Sequence, residues 1–206
     1  MNVLINELPL SYFLFSLVGG YLLGSLPFGI ILTRLAGQGD LRKIGSGNIG
    51  ATNVLRTGNK GLALATLLLD SGKGALAVLL AYLIFPKDPL LLYCAGGGAF
   101  FGHLYPLYLK FKGGKGVATF LGTLLAINWP LGLACCLTWA LSAVLFRISS
   151  LSALIAAALS PFYSYFLLHN SSLAIFACIL CSMIFIRHAE NIKRLLSGTE
   201  PKIGKK

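Results

Sequence analysis

Residues 1–206 read as a single all-α, polytopic membrane domain, and three features of the chain carry that reading. Hydrophobic residues make up 56% of it and charged residues only 11%, a composition too apolar for a water-soluble globular domain. Uncharged runs at 8–33, 90–109, 117–146 and 151–168 approach or exceed the roughly 20 residues needed to cross a bilayer. Lys and Arg gather in the short segments between those runs, where basic charge sets membrane orientation.

The first run begins at Leu8 without the basic leader and short apolar core of a signal peptide, so it is expected to stay as a helix. Glu7 precedes it, and Arg34, Arg42, Lys43, Arg56 and Lys60 follow, which puts the amino terminus outside and the first long loop in the cytoplasm. Gly61 to Phe85 leads out to the turn Pro86-Lys87-Asp88-Pro89, and 90–109 returns to the basic loop Lys110-Phe111-Lys112-Gly113-Gly114-Lys115. As one helix, 117–146 would be about 45 Å long against a hydrocarbon core of about 30 Å. Asn128-Trp129-Pro130 divides it, because proline suits the first turn of a new helix, into a short Val117–Ile127 and a longer Leu131–Phe146. After 151–168 and an outer turn with His169 and Asn170, a last span ends at Arg187, leaving the basic carboxyl-terminal tail inside. The count is about seven transmembrane or partly spanning helices, and every Lys and Arg except Lys87 and the intramembrane Lys73 lies on the cytoplasmic side.

This distribution turns the net charge of +11 into a topology signal and argues against nucleic acid as a partner. The five cysteines (Cys94, Cys135, Cys136, Cys178, Cys181) lie in apolar runs and read as small packing residues. Cys178 and Cys181 have metal-ligand spacing but no second pair, so neither a metal nor a disulfide is expected, and no cofactor is implied.

Four polar clusters interrupt the apolar pattern. In Lys43-Ile-Gly45-Ser46-Gly47-Asn48-Ile-Gly50-Ala-Thr52-Asn53, glycines permit positive φ and can turn amides toward an anion, while Arg56 adds a fixed charge. The second cluster, running from Gly102-His103 to Lys112-Gly113-Gly114-Lys115-Gly116, places amides and Lys115 just before a helix. Gly116 follows the lysine where a P-loop needs Ser or Thr, so phosphate is suggested and nucleotide is not. Asp70 and Lys73 sit one helical turn apart at membrane depth, where a structural pair and a catalytic role both remain open. The fourth cluster, Arg187-His188-Ala-Glu190-Asn191-Ile-Lys193-Arg194, puts His188 and Asn191 on one helical face, with Lys193 and Arg194 read as a membrane anchor. A smaller turn, Arg147-Ile148-Ser149-Ser150, joins the same side. Donors and cations outnumber carboxylates in these clusters, and apolar helices adjoin them. They define a membrane-embedded site for phosphate and acyl groups.

In these segments, Gly24-Ser-Leu-Pro-Phe-Gly29, Gly45 to Asn53, Asp70-Ser-Gly-Lys-Gly74, Gly102-His-Leu-Tyr-Pro106, Phe111 to Thr119 and His188 to Glu200, the chain resembles the bacterial acyl-phosphate-dependent glycerol-3-phosphate acyltransferases, the PlsY family. The resemblance covers nearly the whole chain. It implies a seven-helix membrane fold in the bacterial cytoplasmic (inner) membrane that transfers an acyl group from acyl phosphate to the 1-hydroxyl of glycerol 3-phosphate, giving lysophosphatidic acid and inorganic phosphate. It implies that Ser46, Arg56, Lys115, His188 and Asn191 line the catalytic site. Gly45, Gly47, Asn48, Thr52, Asn53, His103, Lys112, Gly113, Gly114, Gly116 and Ser150 are then expected to bind or shape the substrates. Arg147-Ile148-Ser149 departs from the family pattern, which has an aromatic residue after the arginine.

An acyl phosphate is already activated, so the residues need only position an alcohol and neutralise phosphate charge. No cysteine or Ser-His-acid set occurs in the clusters, which favours direct transfer; His188 or a donor phosphate oxygen takes the hydroxyl proton. The partners expected are the two substrates and the lipid bilayer, with no obligate protein partner. A transporter for a small phosphorylated anion is the competing class; it calls for polar groups reaching both faces, and the outer turns carry little beyond Lys87, Asp88 and His169.

The topology has a direct check. In a cysteine-free variant, single cysteines placed at Asn2 and at Lys206 should react with an impermeant maleimide from the outside and the inside respectively. Labelling of both from one side would rule out the seven-segment arrangement.

Overall fold

The computed structural model describes residues 8–85 and 88–204, and among these no strand occurs. The outer turn at Pro86-Lys87, and Glu7 ahead of the first span, lie outside the described residues. The helices are α1 (Leu10–Gly24), α2 (Phe28–Leu35), α3 (Ala51–Val54), α4 (Lys60–Ile84), α5 (Pro89–Leu104), α6 (Val117–Ile127), α7 (Trp129–Phe146), α8 (Ser149–Phe162), α9 (Ser171–Arg187) and α10 (Ala189–Leu196). Five segments are long and apolar enough to cross a membrane: Leu10–Leu35, Lys60–Ile84, Pro89–Leu109, Trp129–Phe146 and Ser149–Leu167. The bent pair α9 and α10, with a break of 65°, and the short α6 complete the set.

Each interruption has a local cause. The first apolar run, expected as one helix, is broken between α1 and α2 at Ser25-Leu26-Pro27: Pro27 has no N–H and disfavours helical geometry at Leu26. The Leu26 carbonyl freed by the break accepts a hydrogen bond from Lys73 Nζ at 2.8 Å. The division at Asn128 is as the sequence predicts, with Pro130 in the first turn of α7 and Asn128 Oδ1 accepting from Leu131 N at 3.0 Å. Asn59, Asp88 and Asn170 cap α4, α5 and α9 in the same way. Within the sixth apolar stretch Pro161 removes one backbone donor, and the chain continues through a π-helical turn, Tyr163–Leu167, before His169 at φ 49° ends it.

Apolar side chains alone would not hold helices together in lipid, where tails are as apolar as leucine; close packing of small residues does so instead. Gly20 and Gly24 of α1 lie against the backbone of Ala95 and Ala99 of α5, and Gly98 and Gly102 of α5 lie against Leu17 and Tyr21. On the other flank, Gly74 of α4 meets Thr119 and Thr123 of α6, and Gly122 meets Ser71. The interior between α5, α6, α8 and α9 is filled by Phe100, Leu104, Phe120, Leu124, Leu154, Leu180 and Ile184. Large apolar side chains such as Leu68, Leu83, Val144 and Ile175 stand exposed on the outer faces, as a lipid-facing surface requires.

The pairing of α4 with α6 sets the depth of the site. Thr119 Oγ1 donates to the Asp70 carbonyl at 2.9 Å, and Asp70 lies about 15 Å along α4 from Lys60 at 1.5 Å per residue. At 11 residues, or about 16 Å, α6 cannot span a core of about 30 Å, and it begins well along α4 from the Lys60 end. The loop ahead of it is therefore recessed.

Gly98→Ala tests the close approach of α1 and α5. Alanine is the better helix former by about 0.5–1 kcal/mol, yet a Cβ at Gly98 would run into the Leu17 carbonyl. The overlap should cost about 1–3 kcal/mol, lowering Tm of the detergent-purified protein by several degrees. Gly19→Ala, whose Cβ would meet nothing within 4 Å, should leave Tm unchanged or raised.

Candidate active site

Asn53 organises the first loop. Its Nδ2 donates to the carbonyls of Ile44 at 2.9 Å, Asn48 at 2.8 Å and Leu41 at 3.2 Å, while its Oδ1 accepts from Ser46 N at 3.0 Å and lies 3.3 Å from Ser46 Oγ. Gly45 and Gly47 take φ of 54° and 71°, which glycine adopts without strain. Asn53 is 1% exposed, and its polar atoms hold the loop in shape. The same bonding leaves Ser46 on the open side, with its hydroxyl accessible. Arg56, two residues beyond α3, is exposed, and its side chain passes close to the space that a Cβ at Gly45 would fill. Thr52 shares a hydrogen bond with Ser149 at 3.3 Å, tying this loop to the turn between α7 and α8.

The second loop differs from expectation in its amides. Gly113 N donates to the Leu104 carbonyl at 3.1 Å and Gly114 N to the His103 carbonyl at 3.0 Å, so both satisfy the open end of α5 and neither is free for an anion. Their carbonyls accept from Arg187, Nη2 to Gly113 O at 3.0 Å and Nε to Gly114 O at 3.1 Å, and the Arg187 guanidinium lies 5.3 Å from the Tyr105 ring centre. Gly116 caps α6 at φ 81°. His103, expected to touch substrate, is 4% exposed and lies beneath Gly114, where a Cβ would collide with its Nε2. Lys112 projects on the exposed side.

The third wall is the elbow between α9 and α10 and the tail that follows. Lys115 Nζ donates to Asn191 Oδ1; Asn191 Nδ2 donates to Glu200 Oε1 at 2.5 Å. Ser150 Oγ donates to the same oxygen at 2.6 Å, and Arg194 Nε to Glu200 Oε2 at 2.7 Å. Ile203 N reaches the Arg147 carbonyl at 2.6 Å, closing the tail onto the α7–α8 turn. His188 is 2% exposed with Nδ1 2.8 Å from the Ile184 carbonyl, which makes Nδ1 the donor and leaves the Nε2 lone pair free in the neutral ring.

Burial pushes the Lys115 ammonium down to about 8; Glu200 opposes that shift, while Arg194, Arg187 and Arg56 add to it. Burial also holds His188, at the elbow, down to about 4 against the favourable Ile184 hydrogen bond, and Lys115 reinforces the effect. Glu200 is raised by burial and lowered more strongly by hydrogen bonds from Ser150, Asn191 and Arg194, so it stays below the ordinary carboxylate range.

The structure thus brings the first, second and fourth clusters to one end of the bundle, with the Asp70–Lys73 pair buried deeper along α4. Arg187, Arg194 and Glu200 are part of this network and were not among the expected site residues. Arg194, read as a surface anchor, is engaged with Glu200, whereas Lys193 pairs with Glu190 in an exposed bridge, as an anchor would. A signal for Glu200 was present in the sequence, since it is one of only two carboxylates, with Glu190, in a strongly basic segment. An apolar groove of about 330 Å³, with Leu26, Pro27 and Ile30 on one side and Tyr108 and Leu109 on the other, runs beside the second loop. Among the described residues, no group of three His, Cys, Asp or Glu side chains is placed to hold a metal ion.

A cluster of cations at one end of a bundle of apolar helices long enough to cross a membrane defines an integral membrane protein. The profile of the glycerol-3-phosphate acyltransferase family matches residues 14–198, and the chain belongs to that family. Glycerol-3-phosphate acyltransferases of Cereibacter sphaeroides and Paramagnetospirillum magneticum are 63% and 60% identical over 187 and 189 residues; they cover 91% and 92% of this chain and 88% and 92% of their own. The crystal structure of PlsY, an integral membrane glycerol 3-phosphate acyltransferase, in its glycerol 3-phosphate form superposes with a TM-score of 0.87 at 36% identity, covering 93% of this chain and 96% of that one. Its lysophosphatidic acid form gives 0.84 at 35%, covering 93% and 95%. The protein is accordingly a membrane acyltransferase.

Glu200→Gln keeps the shape of the tail clamp and removes its charge. Because the folded-state pKa of Glu200 lies below its ordinary 4.5, its stabilisation is complete above that value and lost as pH falls. Thermal melts should show the variant clearly below wild type at pH 7 and the gap narrowing as the pH is taken progressively below 4.5. A gap that stays constant from pH 7 into the acid range would mean that the carboxylate charge is not what holds the tail.

Proposed function

We propose that the chain transfers an acyl group from acyl phosphate to the 1-hydroxyl of glycerol 3-phosphate, forming lysophosphatidic acid and inorganic phosphate. In this reading the site faces the cytoplasm at the bacterial inner membrane, with the amino terminus outside. The observation that carries it is the convergence of Arg56, Lys115, Arg187 and Arg194 on a recessed pocket with Glu200 as the carboxylate among them. Such a pocket suits two phosphate groups, and the apolar groove beside the second loop suits an acyl chain.

Arg56 and Lys115 serve as phosphate clamps, the first exposed at the mouth and the second partly desolvated, where a charge-assisted hydrogen bond is strongest. Ser46 and Asn191 act as donors to the transferring group, and Thr52 and Asn48 shape the approach. In the step itself the glycerol oxygen bonds to the acyl carbon and the bond from that carbon to the phosphate oxygen breaks. The released hydroxyl proton goes to the departing phosphate. With its pKa near 4, His188 is a weak proton acceptor at pH 7, so it orients the alcohol through its Nε2 lone pair while a phosphate oxygen accepts the proton. No acyl-enzyme is formed.

Purified protein given acyl phosphate and radiolabelled glycerol 3-phosphate should release lysophosphatidic acid and phosphate in equal amounts, with acyl-coenzyme A a poor substitute. Lys115→Ala should lower turnover by about tenfold to a hundredfold. As Lys115 acts in its protonated form, wild-type kcat/KM should fall as pH rises through about 8. Turnover with acyl-coenzyme A as fast as with acyl phosphate would overturn the donor assignment.

A further inference from the structure

Asp70 and Lys73 are 2% and 3% exposed, joined by a 2.8 Å ion pair within α4. A buried pair of this kind is poor evidence for stability, since apolar residues of similar volume hold a helix as well or better. Its connections are more informative than its existence. Lys73 Nζ also donates to the Leu26 carbonyl at the break between α1 and α2. The Asp70 carboxylate lies 3.6 Å from His103 Nδ1 in the last turn of α5. The Asp70 backbone carbonyl accepts from Thr119 in the first turn of α6. One turn of α4 therefore touches three elements, each of which leads into the site.

From Leu26 the chain enters α2, whose Gly29 packs against the Ile49 carbonyl of the loop carrying Ser46. His103 lies with Nε2 under Gly114 and its own carbonyl accepting from Gly114 N, one residue before Lys115. Thr119 fixes α6 four residues after Lys115. Among the described residues, His103 Nδ1 is buried without a hydrogen-bond partner, and the Asp70 carboxylate stands nearby at 3.6 Å.

We infer that Asp70, Lys73 and His103 form a buried positioning set, with the Asp70 carboxylate as the hub that fixes the height of Lys115 relative to the Ser46 loop. None of the three touches substrate; they act through the two loops. The inference deepens the acyl-transfer reading and rests on it for the roles of Ser46 and Lys115. In lipid the arrangement is self-enforcing, because each of these polar groups has no water to turn to if its partner moves.

Two variants of the full-length, detergent-purified protein test it. His103→Asn retains a donor toward Asp70 and vacates the space under Gly114. The double variant Asp70→Asn with Lys73→Met removes both charges together and leaves no isolated ion. Folding is checked by elution and Tm. Two readouts follow: kcat/KM, and the pH midpoint for labelling of Lys115 by an amine-reactive ester, read by mass spectrometry without substrate. The groups facing Lys115, namely Asn191, Glu200, Arg194, Arg187 and Arg56, are unchanged in both variants.

A loop released from the hub hydrates Lys115, so the labelling midpoint should rise by at least about one pH unit from about 8 toward 10.5, and kcat/KM should fall at least tenfold in folded protein. Folded variants with the wild-type midpoint overturn the proposal, as does activity lost only in proportion to the folded fraction. A shifted midpoint in a protein whose wild type does not use acyl phosphate would support the positioning set and fault the donor assignment instead.

Discussion

A polar group in hydrocarbon has no solvent to bond to, and the architecture depends on meeting that constraint inside the protein. Lys73 finds an acceptor in the Leu26 carbonyl beside Pro27; its charge is closed by Asp70; and the Thr119 hydroxyl is closed by the Asp70 carbonyl. The carbonyls of His103 and Leu104 at the end of α5 are closed by the amides of Gly114 and Gly113. Each closure also ties a loop to a helix. The requirement that keeps the bundle intact in lipid is thus the one that shapes the floor of the site.

Small residues make those closures reachable. At Gly24 and Gly102 the backbones of α1 and α5 come near enough for Tyr21 Oη to reach the Tyr105 carbonyl at 2.7 Å, at the point where α5 gives way to the glycine-lysine loop. Gly74 and Gly122 do the same for α4 and α6. The shortness of α6 follows from this seam, because its first turn is set against Asp70 and not against the inner end of α4. A loop held at that depth presents Lys115 in a partly desolvated pocket, where one ammonium interacts with phosphate far more strongly than it would at an open surface.

Glu200 balances the pocket. Four cations close together would repel one another and loosen the elbow, and this carboxylate gathers Arg194, Asn191 and Ser150 while moderating the field on Lys115. Arg187 is neutralised differently, by two backbone carbonyls and the face of Tyr105. The consequence is a site with net positive potential and few free donors in its resting state. Asn191 and Lys115 are bonded to each other.

Hydrophobic run length, the Asn128-Trp129-Pro130 break and the bias of Lys and Arg were enough to place the helices and to bring Ser46, Arg56, Lys115, His188 and Asn191 to one end of the bundle. These are properties of segments, and local periodicity and charge report them directly. What each side chain does at that end was not legible, because a hydrogen bond depends on which backbone atom stands opposite. Asn53 and Ser46 are alike as polar loop residues, yet Asn53 is consumed by three carbonyls and Ser46 is left open. His103 and His188 both read as site residues, and packing put the first beneath a glycine. Arg194 and Lys193 are adjacent cations, and only the return of the tail through Gly198 at φ 71°, with Glu200 beyond it, separates a site residue from a surface one. Segment order was determined by the chain's own pattern; the division of its polar groups between scaffold and site was decided by tertiary contact, since donors of one chemical kind are distinguished only by the partners the fold brings to them.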